Sequence, residues 1–147
     1  MKYEVINLDT YNDKNSSLVV VESFKKCPFD IKRIFYIFDV PRGEIRGQHA
    51  NLNSQFFFIV LNGSCEIKID DGKKQEFVKL ERANEGLFLD KMLWKEMFNF
   101  SKDCILLVLS NTYYDKNEYV YDYEKYLEFT RGGGLQISPI WWLKYAI

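Results

Sequence analysis

The segment RGQHANLNSQ, residues 46–55, contains the only histidine of the chain, His49. An imidazole has an unperturbed pKa of about 6.5, so it can accept and release a proton near pH 7. If a strand follows Gly47, His49 and Asn51 project from one face, because strand side chains alternate with a period of two, and Gln55 continues this phase. In a barrel one face of such a strand lines the interior, where small ligands bind. The pattern favours a small-molecule site with one imidazole and two amides.

The same residues also have structural interpretations. A histidine hydrogen-bonded within the core explains His49 as well as a catalytic base does. Asn51 and Gln55 are amides of a kind common in turns, and Arg46 taken alone is compatible with an ordinary surface cation. One imidazole and two neutral amides do not form a stable ligand set for Zn, Mn or Fe. We therefore expect no metal and no other cofactor.

Composition and charge limit the classes of function. The 147 residues are the length of one domain, and 47% hydrophobic content argues against disorder. The 20 basic and 21 acidic residues form no basic block, so binding to nucleic acid or an anionic membrane has no electrostatic support. The chain shows neither a secretion signal nor a run of roughly 20 apolar residues, and we expect no membrane insertion. The three cysteines, Cys27, Cys65 and Cys104, are widely spaced and form no CxxC motif, which favours a cytoplasmic setting. Cys65 and Cys104 lie in apolar strand-like runs and are predicted to be buried free thiols.

Short strands separated by turns must position these side chains. The runs KYEVINL, SSLVVVES, IKRIFYIFDV, QEFVKLERA, EGLFLDKMLW and CILLVLSNTYY each have the length and composition of a β-strand. QFFFIVLNGSCEIKID predicts two strands joined by a hairpin at Asn62-Gly63, and Asp71-Gly72 predicts the next turn. The spacing of these strands is typical of a sandwich or barrel.

The pattern changes after Tyr114. In DKNEYVYDYEKYLEFT, residues Tyr119, Tyr123, Tyr126 and Leu127 are spaced as on one face of an amphipathic helix. Residues 132–147 begin with glycines and continue as an apolar stretch that contains Pro139. We predict one domain over residues 1–131, followed by a glycine-hinged apolar tail that packs on the body or on a partner subunit.

Three longer segments carry a resemblance to a known family. RIFYIFDVPRGEIRGQHANLNSQ, LNGSCEIKIDDG and EGLFLDKMLWKEMFNFSKDCILLVLSNTYYDKNEYVYDYEKYLEF resemble the sugar 3,4-ketoisomerases over about residues 33–129. These are metal-independent cupins that act on dTDP-linked 4-keto-6-deoxyglucose. The resemblance implies an all-β cupin-type double-stranded β-helix, or jelly-roll barrel, with a short C-terminal helix. It also implies a homodimer and a role in deoxyamino-sugar biosynthesis.

The family signature R-G-x-H-A-H assigns roles to individual residues. His49 matches its first histidine and would be the base, and Arg46 matches its arginine and would contact the phosphates or the sugar. Tyr36 would donate or relay a proton. The resemblance implies that the remaining substrate contacts come from Arg33, Gln55, Trp94, Lys95 and Glu96.

Two positions depart from the family pattern. Asn51 replaces the second histidine, and Lys95 replaces the histidine of the W-H-E segment. An amide does not exchange protons at neutral pH. Asn51 can still donate a hydrogen bond to an enediolate, and we predict that it is a catalytic residue in this sense. Either His49 performs both proton transfers, or Tyr36, Lys95 or water takes part. The alternatives are a non-catalytic nucleotide-sugar-binding cupin and an epimerase or isomerase acting on a related keto sugar.

Overall fold

The structure of the protein is a computed structural model that describes residues 1–131, so the predicted apolar tail, residues 132–147, lies outside the described residues. The described part is built mainly of short strands, as predicted. In chain order the elements are β1 (Tyr3–Asn7), β2 (Thr10–Asp13), β3 (Ser16–Val19), β4 (Glu22–Ser23), β5 (Lys26–Cys27), β6 (Arg33–Phe38), β7 (Arg46–Asn51), β8 (Phe56–Asn62), β9 (Cys65–Asp70), β10 (Gln75–Leu80), β11 (Glu85–Leu89), β12 (Trp94–Phe98), β13 (Ile105–Ser110), a 3-10 turn (Lys116–Glu118), β14 (Tyr119–Val120) and α1 (Tyr123–Arg131).

Ten of these strands form two antiparallel sheets of five. One sheet has the order β1-β11-β8-β13-β6, and the other has the order β10-β9-β12-β7-β14. The main hydrophobic cluster contains side chains of both sheets, including Phe58, Val60, Ile67, Ile69 and Leu106, so the core lies between the two layers. The all-β prediction is confirmed, with the correction that the sheets are separate layers and not one closed barrel.

Alternation in the sequence identifies the buried faces correctly. In β9, Cys65, Ile67 and Ile69 have no exposed surface, whereas Glu66 and Lys68 between them are only partly buried. Cys65 and Cys104 are buried free thiols, as predicted, and Cys27 is a third. Burial of such apolar faces is the main favourable contribution to folding.

The Asn62-Gly63 turn does not close a hairpin. β8 pairs with β11 and β13, whereas β9 pairs with β10 and β12, so the turn carries the chain from one sheet to the other. Gly63 has a positive φ of 71° and lies where a Cβ would fall 2.2 Å from Ser101 Oγ. The glycine is therefore required by a close approach of the chain to another loop. The predicted turn at Asp71-Gly72 does join a hairpin, β9 to β10.

The C-terminal helix is shorter than the sequence pattern predicts. Asp115 caps the 3-10 turn by accepting a hydrogen bond from the Asn117 backbone, and the chain then extends so that Tyr119 pairs with Asn51 of β7. Strand pairing thus takes Tyr119 out of the helix. α1 begins only at Tyr123.

Candidate active site

A cavity opens between the two sheets next to His49. Its volume of about 100 Å³ exceeds the roughly 10–15 Å³ that one water molecule requires. Apolar side chains form one side, and the ionisable groups come from β7, β12 and β14. The lining residues are Phe35, Ile37, Arg46, Gly47, His49, Phe56, Phe58, Lys95, Met97 and Tyr119.

A β-bulge in β7 brings both His49 and Arg46 to this cavity. Lys95 pairs with His49 and the next residue, Glu96, pairs with Gly47, so Gln48 is an extra residue without a partner on β12. Gln48 has a positive φ of 58° and points outward. In a regular strand, two residues three positions apart, such as Arg46 and His49, face opposite sides of the sheet. The extra residue Gln48 shifts this alternation by one position, so both side chains face the cavity.

Gly47 is required at the bulge for two reasons. Its φ is +87°, and a Cβ would lie 3.0 Å from both the Lys95 carbonyl oxygen and Met97 Sδ. Gly43 has a similar φ of +85°, but nothing lies within 4 Å of a Cβ built there.

This pair of glycines gives a matched test of the bulge. We expect both Gly43→Ala and Gly47→Ala to lose about 1–2 kcal/mol of unfolding free energy from the left-handed backbone. Gly47→Ala should lose about 1–3 kcal/mol more through the clash, and it should also reduce activity because Lys95 must shift. Urea unfolding of both variants measures the difference. Equal losses would show that the space beside Lys95 is not restricted.

His49 is half-buried in an aromatic surrounding. Its ring centroid lies 4.9 Å from that of Tyr119 and 5.6 Å from that of Tyr121. Desolvation, followed by the charge of Lys95, lowers the pKa of His49 to about 3. The imidazole is therefore neutral at pH 7 with a free lone pair, and it is a weaker base than a solvent-exposed imidazole.

Lys95 extends its ammonium group into the protein. The residue is only 2% exposed, and its Nζ donates a 2.9 Å hydrogen bond to Asn51 Oδ1 and lies 4.7 Å from the ring centroid of Phe56. Desolvation lowers the pKa of Lys95 to about 7, although the charge of Glu118 opposes this shift. Near neutral pH both the ammonium and the amine are accessible.

Asn51 links Lys95 to a buried carboxylate. Its Nδ2 donates a 2.7 Å hydrogen bond to Glu118 Oε1, so both ends of the amide have protein partners. Glu118 also accepts hydrogen bonds from the Ser54 hydroxyl and from the backbone N–H groups of Asn53 and Ser54. Glu118 therefore holds the end of β7 and the loop that follows it.

Arg33 lies beside the cavity wall without lining it. Its guanidinium donates hydrogen bonds of 3.3 Å to Tyr119 Oη and to Ser110 Oγ, and it lies over the rings of Phe35, Phe56 and Tyr114. Its Nε is buried and has no hydrogen-bond partner among residues 1–131. A buried N–H without a partner is costly, so an anion or a polar ligand would be favoured next to it.

Four predicted site residues lie elsewhere. Tyr36 is 62% exposed on the outer face of β6, and Gln55 joins two loops through hydrogen bonds with Asp90 and Asn111. Trp94 and Glu96 flank Lys95 in β12 and therefore point to the opposite face, where Trp94 Nε1 donates to Glu96 Oε2. Their predicted contacts with substrate are not supported by these positions within one chain.

The sequence interpretation missed Glu118 and Tyr119. Glu118 is 67 positions away from Asn51, and no local pattern indicates this contact. The tyrosine spacing predicts that Tyr119 lies on a helix face, but it lies in β14 with its ring tilted against that of His49. Only the pairing of β14 with β7 places it there.

These groups support proton transfer in a shielded space. The cavity combines a neutral imidazole, a buried lysine and the exposed cation Arg46. Within residues 1–131, no group of three or more His, Cys, Asp and Glu side chains is placed to hold a metal ion. No helix in the same range has the length and apolar character to cross a membrane.

The chain is similar to proteins of known activity. The profile of the family FdtA, described as WxcM-like, C-terminal, matches residues 1–131. The TDP-4-oxo-6-deoxy-alpha-D-glucose-3,4-oxoisomerase of Aneurinibacillus thermoaerophilus is 38% identical over 129 residues, which cover 88% of this chain and 93% of that protein.

Two solved structures share both sequence and fold with the chain. WlaRA, a TDP-fucose-3,4-ketoisomerase from Campylobacter jejuni, is 58% identical with a TM-score of 0.85, over 88% of this chain and 96% of that one. QdtA, a sugar 3,4-ketoisomerase from Thermoanaerobacterium thermosaccharolyticum in complex with TDP, is 32% identical with a TM-score of 0.86, over 90% and 97% of the two chains. In each comparison the similarity extends over most of this chain and nearly all of the solved one.

Proposed function

The chain belongs to the FdtA family, WxcM-like, C-terminal, and from this membership we propose that it converts a dTDP-linked 4-keto-6-deoxyhexose into its 3-keto isomer. It is an enzyme of the isomerase class, which confirms the activity predicted from the family resemblance. The 3-keto product has the functional group that an aminotransferase requires, which fits a role in deoxyamino-sugar biosynthesis.

The reaction needs three kinds of group. A base must remove the C3 hydrogen, which the neighbouring C4 ketone makes acidic. A hydrogen-bond donor must stabilise the negative charge that develops on O4 in the enediolate, and a cation must hold the diphosphate. Positioned acid–base catalysis contributes roughly 10²–10⁴-fold to the rate of such a step.

The observation that carries the assignment is the convergence of His49, Lys95 and Arg46 on one cavity. We infer that the neutral His49 imidazole is the base, and that Lys95 faces the developing oxyanion. Arg46 has an exposed guanidinium at the cavity, which suits the diphosphate. Arg33 does not line the cavity, and its guanidinium positions the Tyr119 hydroxyl at the cavity wall through a hydrogen bond.

Direct conversion of the keto sugar nucleotide tests the function. Incubation of the protein with dTDP-4-keto-6-deoxyglucose should give the 3-keto isomer, observed by NMR. The control is the same incubation without protein. Binding of dTDP without turnover would contradict the isomerase and support the alternative of a binding module.

We infer a homodimer from an apolar stripe on an edge strand. Ile34, Tyr36 and Phe38 are 61%, 62% and 56% exposed on the outer face of β6, the last strand of its sheet. Exposed apolar edge strands are normally covered, and a second copy of this chain is the occupant that the family resemblance implies. Light scattering of the purified protein tests this inference, and a monomer mass would contradict it.

Three buried cysteines without a disulfide suit a reducing compartment, and we propose the cytoplasm. We also propose that residues 1–131 form the catalytic domain, because the family profile ends at residue 131. The predicted tail, residues 132–147, would then be dispensable for turnover.

A further inference from the structure

Lys95 is the only fully buried lysine among residues 1–131. None of the salt bridges within the described residues includes it, and its Nζ has an amide oxygen as hydrogen-bond acceptor. Burying a cation without a direct counter-ion lowers the free energy of unfolding, so the presence of a lysine at this position requires an explanation. The position of Lys95 on the cavity wall beside His49 supplies one.

The neutral Asn51 amide lies between Lys95 and Glu118 and positions Nζ by accepting a hydrogen bond from it, without acting as a counter-ion. Asn51 accepts from Lys95 and donates to Glu118, so the carboxylate and the ammonium do not pair directly. A direct carboxylate partner would stabilise the ammonium and hold the proton there. The pKa of about 7 accordingly allows Lys95 both to donate and to accept a proton near neutral pH.

We propose that Lys95 carries the oxygen-bound protons of the isomerisation and that His49 carries both carbon-bound protons, a division of roles that rests on the ketoisomerase activity proposed above. Asn51 is then a positioning residue for Lys95. The absence of a second histidine is explained, because only one residue has to act on the carbon atoms.

The protons and electrons balance without an oxidant. His49 takes the C3 proton, the C3–H electron pair forms the C3=C4 bond, and the former C4 carbonyl pair on O4 takes a proton from the Lys95 ammonium. In the second half, the Lys95 amine takes the proton of the O3 hydroxyl and a carbonyl forms at C3. The C3=C4 electron pair then takes the proton from the His49 imidazolium at C4. Both side chains end in their starting states.

This division of roles determines the configuration at C4. If one imidazole both removes the C3 hydrogen and delivers the C4 hydrogen, the two hydrogens occupy the same face of the ring. In the gluco series the hydrogens at C3 and C4 lie on opposite faces, and in the galacto series they lie on the same face. The product should therefore have the galacto configuration.

Other ionisable groups near Lys95 are less suited to the oxygen-bound protons. From β7, His49 is the base in this scheme, and Arg46 holds the diphosphate. Glu118 is separated from Nζ by Asn51, and Arg33 donates a hydrogen bond to the Tyr119 hydroxyl. Tyr119 also lines the cavity and carries a hydroxyl proton, so it is the other residue to test as the carrier of the oxygen-bound protons.

The test measures kcat, KM and product configuration for the full chain and its variants. Lys95→Met should fold, because an apolar side chain of similar length replaces a desolvated cation, and its kcat should fall roughly 10²–10⁴-fold with little change in KM. Lys68→Met, the loss of a lysine on neighbouring β9 that pairs with Glu96 away from the cavity, is the control and should keep kcat within about threefold. Tyr119→Phe should lose less than Lys95→Met.

The pH profile separates proton transfer from a purely structural role. kcat/KM of the wild type should fall as the pH rises through the pKa of Lys95, because the ammonium that protonates O4 is lost. Lys95→Met should lack this decrease. Lys95→Arg keeps a cation that cannot release its proton, so it should stay at least tenfold below the wild type.

Failure of the proposal and failure of the function give different results. A wild type that converts the substrate, with Lys95→Met retaining more than a third of its kcat, would overturn the role of Lys95 and leave the isomerase intact. A gluco product would overturn the assignment of both carbon-bound protons to His49. An inert wild type would instead contradict the proposed function.

Discussion

His49→Asn is expected to reduce kcat roughly 10²–10⁴-fold while dTDP binds within about twofold of its wild-type affinity. Asparagine fills a similar volume but cannot accept a proton at neutral pH, so the change removes the base and leaves the cavity shape. His49 is the only histidine in the sequence, and no other imidazole can substitute for it. Steady-state kinetics and calorimetric titration with dTDP measure the two effects.

Gln48→Asn is the matched control for this variant. Gln48 is exposed at the bulge with a positive φ of 58°, a conformation that asparagine tolerates better than most residues. Its kcat should therefore remain close to that of the wild type. If His49→Asn kept more than a tenth of the wild-type kcat, His49 would not be the base.

Glu118→Ala is expected to lower the unfolding free energy by about 3–5 kcal/mol. The change removes the acceptor of the buried Asn51 amide and Ser54 N–H and of the part-buried Asn53 N–H, and it leaves the Ser54 hydroxyl with Thr112 alone. Each buried donor that loses its partner costs about 1–3 kcal/mol, although relaxation of the loop recovers part of this sum. Urea unfolding at constant m-value measures the loss.

Two further variants test the cause of the effect. Glu118→Gln keeps one acceptor oxygen and should show an intermediate loss, because its amide nitrogen faces other donors. Glu124→Ala removes an exposed carboxylate from the first turn of α1 and should cost no more than about 0.5 kcal/mol. A Glu118→Ala loss as small as that of Glu124→Ala would contradict the structural role of the buried carboxylate.

Much of the fold follows from local patterns. Alternation in CEIKID predicts the buried face of β9, and the run at IKRIFYIFDV predicts β6, because strand side chains repeat every two residues wherever the strand lies. The turn at Asp71-Gly72 follows from local backbone preferences. Local patterns do not predict which strands pair, because β8 and β9 are adjacent in sequence yet belong to different sheets.

The sequence by itself determined the all-β class, the single protonatable imidazole and the family, because these depend on residue identity and short-range order. The tertiary structure decided which side chains meet. A single extra residue, Gln48, turns Arg46 and His49 to the same cavity, and the phase of β12 selects Lys95 and excludes Trp94 and Glu96. Bulges, strand phase and pairing between distant segments result from packing of the whole chain, so short-range patterns do not contain them.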